Sequence, residues 1–349
     1  MGGHVVGKRT SMKTNKKILP LLLIVLVLTI CVSLTIGKYP LGLTDIGNFF
    51  LLKLFKMGNM DVRQQDLLSN LLFDIRLPRI LAAALIGASL SVAGASFQAM
   101  FVNPLVSPSL LGVLAGASFG AALGMVFSGS WFAVQCLTFF FGFLAVGIAV
   151  AIAKMHKGNT ILLLILGGVI SGAMFTSLLS VIKYIADPAN QLPAIVQWLM
   201  GGLSLVDYKT LLAAGIPQIV SIALVILFSG YLNALSMGDE EARSLGIRVE
   251  RIRLLLIFLA TLMSALTVVI AGMIGWVGLI IPHITRMLVG PDNKILVPAS
   301  ALIGAIYLIA VDNVSRMLFV VEIPMGIVTS LVGIPFFVLI LRKAQKGWG

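Results

Sequence analysis

Long apolar runs separated by short polar breaks set the pattern of this chain. Runs at 18–36, 77–100, 107–127, 131–153, 160–186, 210–231, 254–274, 276–289, 297–317 and 325–341 are predominantly apolar, and most have the roughly 20 residues a helix needs to cross a bilayer. None shows the alternation of a barrel strand. In lipid the backbone must bond to itself, so the pattern predicts an all-α integral membrane protein with ten transmembrane helices. Between the first two runs, 38–75 is the longest polar-containing segment, with an amphipathic piece at Asp45–Phe55, and is expected on the outer face. Between the sixth and seventh runs lies the stretch SMGDEEARSLGIRVERIR at 236–253, where charge gathers. Its acidic start at Asp239, Glu240 and Glu241, followed by Arg243, suits a helix dipole, and Gly246 suits a C-terminal stop. A short helix outside the membrane with a surface for a partner is expected there; a solvated connecting loop is the alternative.

Composition agrees with this architecture. Of 349 residues 59% are hydrophobic and only 11% charged, too little polar surface for a soluble globule of this size. The formal charge of +12 could suggest nucleic acid, but the basic residues sit at span ends and form no patch with aromatics, so topology explains them. An even number of spans puts both termini on one side. Sixteen of the 25 Lys and Arg residues then share it, at 1–17, at Lys154 and Lys157, in the 236–253 loop, at Arg286 and Lys294, and after 341, which makes that side the cytoplasm. The chain divides into a basic N-terminus at 1–17, a single membrane domain at 18–343 and a C-terminus at 344–349. No small-residue cleavage site follows the first run, so it reads as a retained span rather than a signal peptide. Arg76, Arg79 and Arg316 oppose the positive-inside bias, at the outer ends of spans two and nine.

Gly112, Gly116, Gly120 and Gly124 recur every fourth residue and predict a face for close helix packing. Spans two to five and seven to ten are offset by five, so a structural repeat between them would be inverted in the membrane. Asn103–Gly112 and Gly275–Arg286, both rich in Gly and Pro, would then correspond, and such interrupted segments are pathway candidates beside the plain reading of a kinked, packed helix. They contribute Asn103, Pro104, Pro282 and His283. His283 has no second ligand nearby in sequence, which argues against a metal. Asp312 stands four residues before Arg316, the spacing of an intrahelical pair, and no carboxylate nearer the midplane is available for ion coupling. Gly2–Lys8 imitates a phosphate loop, but Arg9 stands where Ser or Thr must bind magnesium, so no ATPase is expected in this chain. Cys31 and Cys136 lie in apolar runs and are expected to be packing residues.

DIRLPRILAAALIGASLSVAGASFQAMFVNPLVSPSLLG (Asp74–Gly112), GMIGWVGLIIPHITRMLVGPDN (Gly272–Asn293), VDNVSR (Val311–Arg316) and EIPMGIVTSLVGIPFFVLILR (Glu322–Arg342) together resemble the large permease subunits of bacterial ABC importers for iron-siderophores, haem and cobalamin. The resemblance spans roughly residues 18–343; Trp276 departs from it, since Phe is usual there. It implies an inner-membrane transport subunit that is not an enzyme, paired with a second permease, most simply as a homodimer. Two cytoplasmic ATPases and an extracytoplasmic substrate-binding protein are the further partners. No cofactor is implied. Gly238, Asp239, Glu240, Glu241, Ala242, Arg243, Leu245 and Gly246 are similar to the family's coupling helix, which fits a groove on the ATPase. Arg76, Arg79 and Arg316 match arginines that meet acidic residues on the binding protein. An ion-driven secondary transporter is the alternative function.

Overall fold

The computed structural model describes residues 18–39, 41–55, 60–155 and 160–345. The basic N-terminus at 1–17, with its phosphate-loop imitation, and the last residues from Lys346 lie outside the described residues. Fifteen α-helices follow one another: α1 (Ile18–Thr35), α2 (Leu43–Phe55), α3 (Val62–Ser69), α4 (Leu77–Met100), α5 (Val113–Phe127), α6 (Trp131–Met155), α7 (Thr160–Ile185), α8 (Gln191–Leu199), α9 (Tyr208–Leu227), α10 (Ser229–Leu235), α11 (Asp239–Ser244), α12 (Val249–Ala271), α13 (Val277–Val289), α14 (Asn293–Met317) and α15 (Met325–Gln345). A π-helical segment, Asn70–Arg76, joins α3 to α4, and a 3₁₀ turn, Pro108–Leu111, precedes α5. Among the described residues there is no strand.

Among the described residues seven helices are long and apolar enough to span a membrane, namely α1, the continuous Val62–Met100, α6, α7, α9, α12 and α14. The other three expected spans are the shorter apolar helices α5, α13 and α15. Their shortness has a structural cause in α5 and α13, each of which starts deep in the bundle after a stretch of irregular backbone. Leu110 and Gly112 lie against Gly168 and Gly172 in the middle of α7, and Gly278 lies against Gly94 and Leu90 in the middle of α4. The expected start of the third span at 107 therefore moves to 113. Irregular backbone at that depth is tolerated because protein, not lipid, surrounds it. The expected run at 210–231 is two helices, α9 and α10, broken at Phe228 just before the helix-weakening Gly230. The expected start of the seventh span at 254 moves back to Val249, since Arg251 and Arg253 are taken into the first turns of α12.

α4 is the axis of the bundle. Every residue from Ser89 to Met100 is buried, and its Ala, Gly and Ser residues let neighbouring backbones approach, which is how helices associate where lipid removes the hydrophobic incentive. A methyl at Gly87 would lie 2.1 Å from the carbonyl oxygen of Gly304 on α14, and one at Gly94 would lie 1.8 Å from that of Gly278 on α13. The glycine face of α5 packs as expected, Gly116 against Phe141 and Ala145, Gly120 against Leu137 and Gly124 against Val134, all on α6. Cys31 and Cys136 depart from expectation: both are exposed, because α1 and α6 are peripheral helices that turn these side chains away from the bundle.

Candidate functional site

Two polar constructions lie at opposite ends of the bundle. At one end, α11 keeps the acidic start and the stop read from the sequence: Asp239, Glu240 and Glu241 form its first turn and Gly246, at φ +78°, follows its end. Gly238 precedes it at φ +118°. Only Ala242 is buried within the helix. Asp239 ties it to α12, its two carboxylate oxygens accepting hydrogen bonds from Nη1 and Nη2 of the buried Arg253. Those bonds hold the Asp239 carboxyl below the usual carboxylate range, against a smaller opposing effect of burial. Glu240, Glu241, Arg243 and Leu245, the last 63% exposed, project outward. The result is a seated knob carrying both signs of charge around an apolar tip.

At the opposite end, Asp312 on α14 is fully buried and shared by two arginines. Arg79 on α4 donates from Nε at 2.7 Å to Oδ1, and Arg316 Nε lies 3.0 Å from Oδ2. Arg79 Nη1 also donates to Glu322, 2.9 Å from Oε2. Arg316 reaches Ser33 Oγ and the Ile36 carbonyl on α1 and its following turn, each at 3.2 Å. Arg76 donates to the carbonyl oxygens of Leu34 and Tyr39. Expected to meet a binding protein, these three arginines are 3%, 7% and 6% exposed and bonded within the chain. A guanidinium in an apolar bundle takes the nearest acceptors, here the free carbonyls past the end of α1 and a carboxylate one turn away. The intrahelical Asp312–Arg316 pair is present, but as part of a three-helix cluster. Asn313 Oδ1 accepts from Arg316 Nη2 at 2.5 Å and from Ser33 Oγ at 2.7 Å, and Glu322, Asn313 and Ser33 carry no sequence signal of their own. Glu322 lies 243 positions from its partner Arg79, so no local pattern could have joined them. Arg79 and Glu322 line a cavity of about 340 Å³ with Trp131, Gln197, Trp198 and Ser204.

Of the pathway candidates, Pro104 and His283 meet at one small cleft with Leu105, Leu279, Ile280 and Phe337. Asn103, exposed, accepts from the Leu105 amide at 2.9 Å and so shapes the turn that carries Pro104. Pro282 is buried inside α13. A feature the sequence did not reveal joins the two interrupted segments: Gly112 before α5 and Trp276 before α13 are both left-handed, at φ +81° and +69°. A tryptophan accepts that conformation only under constraint; here its ring abuts Gly333 and meets Phe337 edge-on at 6.2 Å, both on α15.

The FecCD transport family matches residues 24–343. The chain belongs to the FecCD transport family. Its relatives include the molybdate import system permease protein MolB of Haemophilus influenzae, 39% identical and covering 95% of this chain and 97% of that protein. The hemin transport system permease protein HmuU of Yersinia pestis is 33% identical over 96% of this chain and 100% of that one. Among solved structures, a metal-chelate type ABC transporter in an inward-facing conformation superposes with a TM-score of 0.84 at 38% identity, covering 94% of this chain and 99% of that one. As a FecCD protein the chain is an ABC importer permease, a transport component rather than an enzyme. The cargoes named for FecCD relatives extend to molybdate, which the iron, haem and cobalamin resemblance did not include.

Proposed function

We propose that this FecCD permease passes a metal chelate of the iron-siderophore, haem or cobalamin type from an extracytoplasmic binding protein into the cytoplasm, driven by ATP hydrolysis on a separate subunit. Two copies of the chain form the channel, each with ten membrane crossings in two inverted halves, and both termini are cytoplasmic. The observation that carries the reading is α11, exposed but seated by Ala242 and Arg253, on the end of the bundle away from the Arg79–Asp312 cluster. The paired half-helices α5 and α13, each preceded by a left-handed residue, support the inverted halves. Docking of the binding protein falls to the cluster end. Arg76 and Arg316 frame that end, and Arg79 is the residue a partner's carboxylate can reach, by replacing the partly exposed Glu322. MolB, at 39% identity, favours a second cargo, an oxyanion such as molybdate.

Proteoliposomes holding the permease with its ATPase subunits and the neighbouring binding protein separate these readings. Uptake should require internal or external ATP at the ATPase face and persist when ionophores collapse every ion gradient. Uptake that follows a gradient and ignores ATP would instead identify an ion-driven secondary transporter. Competition between ferric chelates, haem, cobalamin and molybdate for the binding protein decides the cargo.

A further inference from the structure

The helix that carries α11 is itself fastened to the start of α14. Asn233, on α10, is partly buried and uses both ends of its amide: Nδ2 donates to Asp292 Oδ1 at 2.7 Å, and Oδ1 accepts from the backbone amide of Asn293 at 2.7 Å. The same Asp292 oxygen caps α14 by accepting from the Lys294 amide at 3.0 Å, filling one of the donor positions that a helix start leaves open. Asn293, 2% exposed, donates from Nδ2 to Ser236 Oγ at 3.3 Å. Around these bonds Leu232 and Leu235 of α10 are fully buried. Only three residues, Ser236 to Gly238, separate α10 from α11, so a displacement of α11 is delivered to α10 with little slack.

α14 is suited to carry such a displacement. It is a 25-residue helix, about 37 Å long at 1.5 Å per residue, and Gly87 and Gly304 lock it against α4. Its far end holds Asp312 and the two arginines. One helix is thus fastened by side-chain polar bonds at both ends, to the base of α11 at one and to the cluster at the other.

We propose that Asn233 is a positioning residue for coupling: its two-point hold on Asp292 and Asn293 passes movement of α11 to α14 and so to the Arg79–Asp312–Glu322 end. The hold is directional in chemistry. Asn233 must donate to one partner and accept from the other, so Asn233→Asp keeps the acceptor but sets two carboxylates against each other. Asp292→Asn made together with Asn233→Asp restores a donor to the pair, because the amide introduced at 292 can turn its nitrogen toward position 233, while the Lys294 cap that the same Asp292 oxygen supplied is given up.

The inference rests on α11 being the ATPase contact, and the test separates the two. In the complex assembled with its ATPase subunits, backbone hydrogen exchange is followed with ADP–vanadate and without nucleotide. Segment 239–246 reports the contact, 293–297 the hold, and 312–316 the far end. In the wild type, nucleotide should change exchange in all three. Asn233→Asp should leave the response at 239–246 intact and raise exchange at 293–297 by about tenfold, as expected for one lost charge-assisted bond, while abolishing the nucleotide response at 312–316. The double variant should recover the nucleotide response at 312–316, with exchange at 293–297 still above the wild type because the Lys294 cap is lost. A single variant that still transmits the response to 312–316, or a double variant that fails to restore it, would overturn the role of Asn233. A wild type that responds at 293–297 and 312–316 but not at 239–246 would count against the α11 contact and, with it, this route.

Discussion

Asp312 carries the most concentrated electrostatic responsibility in the molecule. It is fully buried, and two guanidiniums face it. Removing its charge leaves two buried cations with only Glu322 to answer them, a loss on the order of 3 kcal/mol. Asp312→Asn should therefore lower thermal stability in detergent sharply, while Glu322→Gln, at a position 35% exposed, should lower it far less. Equal effects of the two would show that the cluster is not held by Asp312. The Asp239–Arg253 pair behaves differently because its carboxylate is partly exposed. Arg253 depresses the Asp239 carboxyl, so the folded group loses its proton more readily than the unfolded one. Its stabilising contribution is then fully present above the ordinary carboxylate value of about 3.9 and is lost only as pH falls through the lower folded value. Hydrogen exchange at 239–246 should be pH-independent, after correction for intrinsic rates, from pH 8 down to about 5. It should rise only below about pH 4. Asp239→Asn should show the raised exchange at every pH.

At the scale of the elements, contact distance between backbones decides what is allowed. A methyl at Gly94 meets the Gly278 carbonyl at 1.8 Å, which a rigid backbone cannot accommodate, so Gly94→Ala should force α13 off α4 at a cost of about 1–3 kcal/mol. The same change at Gly147, where nothing lies within 4 Å, should be neutral or slightly stabilising, and a thermal-unfolding comparison of the two variants checks this. α11 was legible in the sequence because helix start, charge and stop are local signals, read within eight residues. The glycine face of α5 was legible for the same reason. The interruptions before the half-helices were legible from their Gly and Pro, but the residue at which helix begins was not, since SPSLLG at 107–112 carries no local signal that Gly112 is left-handed and that α5 starts only at Val113. Trp276 stood out in sequence only as a larger ring than usual; its left-handed backbone depends on Gly333 and Phe337, some sixty residues on. Arg76 and Arg79 lie at the start of α4 and Arg316 in the last turn of α14, yet their burial depends on α1 and α14 coming together, a juxtaposition that no sequence spacing expresses.

For the molecule as a whole, the bundle is a FecCD permease whose two polar ends are joined through α4 and α14. The proposed function assigns assembly and coupling to a small exposed surface of α11 and its end, Glu240, Glu241, Arg243 and Leu245, that contributes little to the fold of the chain itself. The most direct measurement changes Glu240, Glu241 and Arg243 together to alanine and follows two quantities in the same preparation: retention of the ATPase subunits through purification and ATP hydrolysis stimulated by the binding protein. The variant should insert and unfold like the wild type, while retention or stimulation falls at least tenfold, in keeping with an interface whose energy sits in a few residues. Wild-type retention together with wild-type stimulation would contradict the assignment and remove α11 from the mechanism.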